Sequence, residues 1–340
     1  MTEATVPWED ATPSSQGRTP HPGRQHDRGT PGNRRRPGHV AQPSAPRVAP
    51  YVFVAPAVVL LVAVLLIPIG YTLYLSFQKS QVSGLGLGAG ARRQVFAGLS
   101  NYSTGLTDPA FLSSLLRVVV YSLILVPVML GLALLFALLL DAQRVRLQRF
   151  SRLSIFLPYA VPIVIASLLW GFMYLPTLSP FPAILATVGL SMPNLFTTHV
   201  ALLSVANIGV WGGTGFNMIV LYTALRAVPS ELYEAARIDG ASQVQVSLRI
   251  KIPMIAPALV LTGVFSIIAT LQVFNEPQTL SPLTNTISPD WMPLMRIYDL
   301  AFNENNSYEA AALSMIIAAI MFAGSYALLR VTSKHVFQER

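Results

Sequence analysis

Residue types that perform covalent chemistry are scarce in this sequence. It has no cysteine and only five histidines (His21, His26, His39, His199 and His335), none beside a carboxylate pair or in a metal-ligand spacing. A Gly-x4-Gly-Lys-Ser/Thr phosphate loop is absent too. Binding chemistry is what remains, and two sets of residues could supply it. One lies in the run 226–253, where Glu234-Ala235-Ala236 is followed after three residues by Gly240 and the run closes on Pro253. The other is a scatter of polar and aromatic side chains in or beside apolar stretches: Asn207, Trp211, Asn217 and Tyr222, then Gln272, Asn275 and Glu276.

The elements that must position them follow from composition. Of 340 residues, 53% are hydrophobic and 11% charged, with a mean hydropathy of +0.53. A water-soluble surface cannot carry that balance, so a soluble enzyme is excluded. Six uncharged stretches reach the roughly 20 residues needed to cross a bilayer as a helix: 52–77, 118–140, 153–176, 200–225, 254–274 and 310–329. The reading is an all-α membrane protein of six transmembrane helices. Between Arg152 and Arg226, 73 residues carry no formal charge, enough for two spans and a Pro-rich connection. The short apolar piece 183–190 inside that connection is too brief to cross, and reads as a surface or re-entrant segment.

Net charge is +8, and its placement sets the orientation. Fifteen Lys/Arg flank the side that holds both termini and five the other, so both termini are cytosolic. Residues 1–50 hold seven arginines, including Arg34-Arg35-Arg36, nine prolines and five glycines. That composition cannot bury enough apolar surface to fold, and reads as a disordered cytosolic tail near anionic lipid. No aromatic residues interleave with its charges, so it does not read as a nucleic-acid arm.

A link of 28 residues, 226–253, joins the fourth and fifth spans, long for a helical hairpin, where 2–8 is usual. Its punctuation predicts two short helices: Ser230 as an N-cap with Glu231 at the positive end of the dipole, Gly240 as the left-handed terminator, and Ser242 capping a second helix that stops before Pro253. Such an element fits a groove in a partner, with Ala235 and Ala236 permitting close approach and Glu234 offering a charge. The plainer alternative is an exposed helix on which Glu234 and Arg237 pair as i, i+3 neighbours. Arg237 and Asp239 are open to both readings, partner contact or solvated charge.

The pattern Glu234-Ala235-Ala236-x3-Gly240-x9-Ile250-x-Ile252-Pro253 resembles the EAA loop of binding-protein-dependent ABC importer permeases, EAA-x3-G-x9-I-x-L-P, with Ile252 where leucine is usual. Outside the loop, the end of the first span, 68–77, Phe96-Ala-Gly-Leu-Ser-Asn-Tyr102, Asp108-Pro109-Ala-Phe111, Tyr298–Phe302 and Tyr308–Ser314 are similar to the carbohydrate-uptake members, on the side of the MalF-, UgpA- and LacF-like subunits. The resemblance covers residues 51 to about 330 and leaves the tail unmatched.

That resemblance implies the ABC importer type I transmembrane domain in a bacterial cell membrane. It also implies one permease of a pair, with a second, MalG-like subunit, an ABC ATPase dimer and an extracellular sugar-binding lipoprotein as partners. No cofactor is expected on this chain; ATP and Mg2+ belong to the ATPase. Glu234, Ala235, Ala236, Gly240 and Pro253 are expected to couple to the ATPase. Asn207, Trp211, Asn217, Tyr222, Gln272, Asn275 and Glu276 are expected along the pathway of a di- or oligosaccharide, by stacking and hydroxyl recognition, with helix–helix bonding as their alternative role. Gly212, Gly213 and Gly215 are expected to allow close packing or a broken helix.

Two other readings compete. One is an importer of glycerol-3-phosphate or another polyol: a phosphate would call for basic pathway residues, and the spans offer none, although the partner subunit could supply them. An ion-coupled secondary transporter needs a buried ionisable group near mid-membrane; the six stretches contain none, and Glu276, just beyond the fifth, is the one candidate.

Overall fold

Backbone groups in lipid have no water to bond, so long uncharged runs can be satisfied only within helices or closed barrels. The computed structural model describes residues 49–82, 92–142 and 147–336. Residues 1–48 of the basic tail, and Arg144, Arg146 and Arg340, lie outside the described residues. The chain divides into two units, Met1–Pro56 and Ala57–Arg340. Of the first, residues 49–56 are described and are helical; the hairpin, the helical core and the cavity all belong to the second.

Twelve helices are named among the described residues: α1 (Tyr51–Ser76), α2 (Ser100–Thr107), α3 (Pro109–Asp141), α4 (Gln148–Ala160), α5 (Ile163–Tyr174), α6 (Phe181–Thr187), α7 (Ala201–Arg226), α8 (Ser230–Ile238), α9 (Gln243–Leu271), α10 (Asn275–Leu280), α11 (Pro293–Tyr298) and α12 (Ser307–Val336). One antiparallel hairpin, β1 (Gln78–Val82) with β2 (Arg92–Phe96), follows α1 and pairs Gln78 with Phe96 and Val82 with Arg92. Five helices, α1, α3, α7, α9 and α12, are long and apolar enough to cross a bilayer, and the bent pair α4–α5 counts as a sixth if its two arms form one broken span rather than a re-entrant loop.

That pair departs from the expected straight span 153–176. The chain turns by 94° between α4 and α5. Pro162 explains the break: the residue before a proline is pushed out of the helical region, and Val161 is extended at φ −78° and ψ 126°. Hydropathy alone reads through this proline, because its side chain is as apolar as its neighbours.

Two other prolines are kept inside helices by a different device. A proline removes a backbone donor and crowds the carbonyl four residues earlier. In α1 the turn Val62–Leu66 is a π-turn, two residues before Pro68, and in α9 the turn Ser247–Lys251 is another, two residues before Pro253. Each widened turn contains the carbonyl that would clash, Val64 or Arg249, and bonds five residues back instead of four. The helix expected to stop before Pro253 therefore runs through it, and the loop and the fifth span share one continuous helix.

The core is the seam of α3 and α7. On α3, Tyr121, Leu125, Met129, Ala133 and Ala137 recur at helical spacing and are buried; on α7, Val205, Ile208, Met218, Leu221 and Leu225 answer them. Because lipid gives two apolar helices no hydrophobic reason to associate, the seam depends on van der Waals fit and small residues. A Cβ at Gly215 would collide with the Ile155 carbonyl and lie 2.8 Å from the Phe156 Cα, both on α4. The α7 helix runs unbroken through its glycines, so Gly213 and Gly215 serve close packing and the break lies at Pro162. Within α1, Ile67–Ser76 packs against α12, and the apolar window of α1 buries nothing against this chain.

Candidate functional site

Two separate places gather most of the residues singled out by the sequence, a cavity and the 226–253 loop. The first is a cavity of about 710 Å3, within the range of ligand pockets. Five segments wall it: Tyr121–Met129 of α3, the elbow Pro158–Ala166, Gly209–Asn217 of α7, Phe265–Thr270 of α9, and Gln272–Glu276. The elbow follows from Pro162, and α9 stops at Leu271 just before Gln272. The chain then crosses Phe274, at φ −145°, before α10 begins at Asn275.

Four of the seven expected pathway residues meet there: Asn217, Gln272, Asn275 and Glu276. Asn217 is buried and already engaged. Its amide donates to the Gly213 carbonyl at 2.9 Å and lies 3.5 Å from the Met129 thioether, and its oxygen accepts from Ser266 at 3.4 Å. Gln272 and Asn275 are exposed to the cavity side and Glu276 is half-buried. Burial pushes the Glu276 carboxyl above its ordinary value, offset in part by a bond from its own backbone N–H. Tyr121 and Thr270 add polar groups that the sequence reading did not single out; their spacing on apolar stripes gave no signal.

The other three are placed elsewhere. Asn207 donates to the Tyr174 hydroxyl at 2.9 Å, and Tyr174 donates to the Ser204 carbonyl at 2.9 Å, which ties α5 to α7. Trp211 meets Trp170 edge to face at 6.0 Å in the same seam. Tyr222 lies one helical turn from Arg226. The Arg152 guanidinium sits 4.5 Å above its ring, and Gln148 and Arg152 each donate to its hydroxyl at 3.1 Å.

The second place is the 226–253 loop. Helix α8 starts at Ser230 with Pro229, not Ser230, as its N-cap residue. Proline fixes the φ that a helix start needs and has no N–H to leave idle. At the other end Gly240 is left-handed, φ +83°; its N–H bonds the Arg237 carbonyl at 3.0 Å and the Ala241 N–H bonds the Ala236 carbonyl at 2.9 Å. This is a Schellman cap, and it gives the spacing from Ala236 to Gly240 a physical reason. Ser242 then caps α9 in a reciprocal box with Gln245. Glu234 and Ala235 are exposed, Ala236 is half-buried and Pro253 is exposed.

Behind α8, two charges are buried that the sequence reading treated only as topology signals or not at all. The Lys251 ammonium pairs with the Asp141 carboxylate, with side chains 7% and 6% exposed, and it lies 4.7 Å from the centre of the Tyr233 ring. Burial and the Asp141 charge push the Tyr233 hydroxyl up, against an opposing pull from Arg226. At the far end of the bundle Arg296 faces Asp108 at 3.4 Å, Asp299 at 3.7 Å and Glu304 at 2.5 Å. Asp108 itself caps α3 by accepting from the Ala110 N–H at 3.0 Å. The Asn101 amide clamps the end of α1, donating to the Ser76 and Gln78 carbonyls at 2.8 and 2.7 Å. Among the described residues no group of three or more His, Asp or Glu is placed to hold a metal ion.

The model of the family described as binding-protein-dependent transport system inner membrane component matches residues 95–336. Over 294 residues the chain is 30% identical to the sn-glycerol-3-phosphate transport system permease protein UgpA of Agrobacterium fabrum, covering 85% of this chain and 96% of that one. It is 29% identical over 237 residues to the diacetylchitobiose uptake system permease protein NgcF of Streptomyces coelicolor, covering 66% of this chain and 67% of that one. In three dimensions it is similar to a chain of a bacterial ABC transporter involved in the import of the acidic polysaccharide alginate, with a TM-score of 0.74 at 19% identity, covering 85% and 96%. That likeness shows that the two chains share a fold, the ABC importer type I transmembrane fold.

Proposed function

This chain belongs to the family of binding-protein-dependent transport system inner membrane components, and from that membership we propose that it forms half of the pathway of an ATP-driven importer for an uncharged di- or oligosaccharide. A second homologous permease supplies the other half, an extracellular binding protein delivers the sugar, and a separate ATPase dimer hydrolyses ATP.

The lining of the cavity carries the choice of substrate. Of the residues that wall it, Glu276 alone has a formal charge, and neither lysine, arginine nor histidine is among them. A phosphate or a uronate entering such a cavity would lose water without meeting a cation from this chain, so its countercharge would have to come from the second permease. Sugar hydroxyls would instead find amides, a carboxylate and the flat rings of Tyr159 and Phe216, which stack on each other at 4.9 Å. The names of relatives span both chemistries, since UgpA is named for sn-glycerol-3-phosphate and NgcF for diacetylchitobiose; the absence of a cation from this wall favours the second kind.

The loop supports ATPase docking. Ile238 is 87% and Val244 65% exposed, on either side of the turn at Gly240, and Glu234 stands out on the same short helix. Apolar side chains grouped at an exposed turn mark a surface that a partner covers.

The test is purification of the tagged chain from its native membrane with its stoichiometric partners, followed by reconstitution into proteoliposomes. Recovery of a second permease, an ATPase and a binding protein, with ATP-dependent uptake of a neutral disaccharide and none of glycerol-3-phosphate, is the expected result. Uptake of glycerol-3-phosphate in preference would overturn the substrate assignment, and activity of the chain alone without ATP would overturn the importer.

A further inference from the structure

Three elements converge on one buried ammonium. Asp141 is the last residue of α3, Lys251 closes the π-turn that leads α9 into the bundle, and Tyr233 belongs to α8, next in sequence to Glu234. We propose that Lys251, held between the Asp141 carboxylate and the Tyr233 ring, is the positioning residue through which displacement of α8 is passed to α3 and α9. The proposal rests on the reading that α8 docks an ATPase.

Both charges are almost wholly withdrawn from water. A buried charge whose partner leaves is penalised far more than an exposed one, so Lys251 and Asp141 move together or not at all. The ring of Tyr233 lies over the ammonium at 4.7 Å, a contact that strengthens as water is excluded. Its hydroxyl is buried with no hydrogen-bond partner among the described residues, so the ring and not the hydroxyl makes the connection. The groups facing this node are Asp141 on α3, Tyr233 on α8, Lys251 on α9 and, acting on Tyr233, Arg226 at the end of α7. A push on α8 at Glu234 therefore reaches the ends of two spans through side chains that cannot separate cheaply. The widened turn at 247–251 places this joint where the helical ladder is already interrupted by Pro253.

The experiment measures sugar molecules imported per ATP hydrolysed by the complex purified from its native membrane, together with its melting temperature. In Asp141→Asn/Lys251→Met both charges are removed, an exchange that buried pairs often tolerate in stability. The expected result is an assembled complex melting as the wild type does, with imports per ATP reduced by about tenfold or more. Tyr233→Leu, which leaves the ion pair intact, is expected to lower the same ratio, and Tyr233→Phe to keep it. A wild-type ratio in the assembled double variant would reduce the pair to a structural staple and overturn the proposal. A wild-type ratio in Tyr233→Leu would also overturn it, and decides the matter where the charge variant does not assemble. Wild-type complex without ATP-driven import would overturn the underlying docking reading, and the proposal with it.

Discussion

Between Arg226 and Pro253 each structural device is made by residues close in sequence: Pro229 starts a helix, Gly240 ends it, Ser242 and Gln245 cap the next, and a π-turn carries that helix past Pro253. The cavity draws its wall from five segments between Tyr121 and Glu276, more than 150 positions apart. Apart from the buried Lys251, the loop turns Glu234 and its apolar tips Ile238 and Val244 outward, whereas the cavity keeps one carboxyl and several amides within an apolar shell. A linear motif suffices for the first under the proposed docking, in which a partner supplies the rest of the site. The second has to be completed by packing, so changes that spare the local sequence can still destroy it.

This contrast can be broken most severely at Gly240. Its φ of +83° is closed to proline, whose φ is fixed near −65°, and Gly240→Pro is expected to cost about 3 kcal/mol locally and lower uptake by about a hundredfold without altering binding at the cavity. Uptake in vesicles with purified partners measures it; loss of sugar affinity at unchanged turnover would erase the distinction between the two regions.

Next in size is Gly215→Ala. The added methyl meets the α4 backbone at Ile155 and Phe156, so the elbow and the cavity beside it must shift, at about 2 kcal/mol of overpacking. A lower melting temperature in detergent together with weakened sugar binding is the expected outcome, while hydrogen exchange across 226–253 stays as in the wild type.

Glu276→Gln sharpens the comparison from the other side. A neutral amide keeps the shape and one acceptor, and removal of a charge-assisted bond to the sugar is expected to weaken apparent affinity by about tenfold. Since burial holds this carboxyl above its ordinary value, it protonates and loses the charge that strengthens its bonds to hydroxyls as pH falls through that raised value. Wild-type uptake should therefore decline at a pH above the usual carboxylate range, and the variant should lack that limb. A pH profile of initial uptake rates tests both.

The smallest effect is expected of Ser242→Ala. Loss of the box with Gln245 costs about 1 kcal/mol, visible as faster hydrogen exchange in the first turn of α9 and a modest loss of uptake. Exchange unchanged there would show that the cap contributes nothing to the loop.

Much of the fold was legible because lipid imposes a coarse rule: an uncharged run of sufficient length must be a helix. Five of six crossings follow from it. The third failed as a straight span because hydropathy reads Pro162 as one more apolar residue, while its effect is on the backbone of Val161. In the candidate site, Gly240 and Ser242 were readable, since capping acts over a few positions. Asn207, Trp211 and Tyr222 had the right chemistry but point into the α5–α7 seam or toward Arg152, and residue type does not encode which face of a helix meets a cavity.

The sequence by itself determined the helical membrane architecture and the two-helix loop with its glycine turn, because both rest on interactions within a turn or two of the chain. Only the tertiary structure decided that Asn217, Gln272, Asn275 and Glu276 share one cavity and that Asp141 and Lys251 pair behind Tyr233. Those outcomes depend on helix rotation and on close approach at Gly213, which faces the Met129 side chain, and at Gly215, which faces the α4 backbone, and no local pattern of residues fixes how two helices turn toward each other.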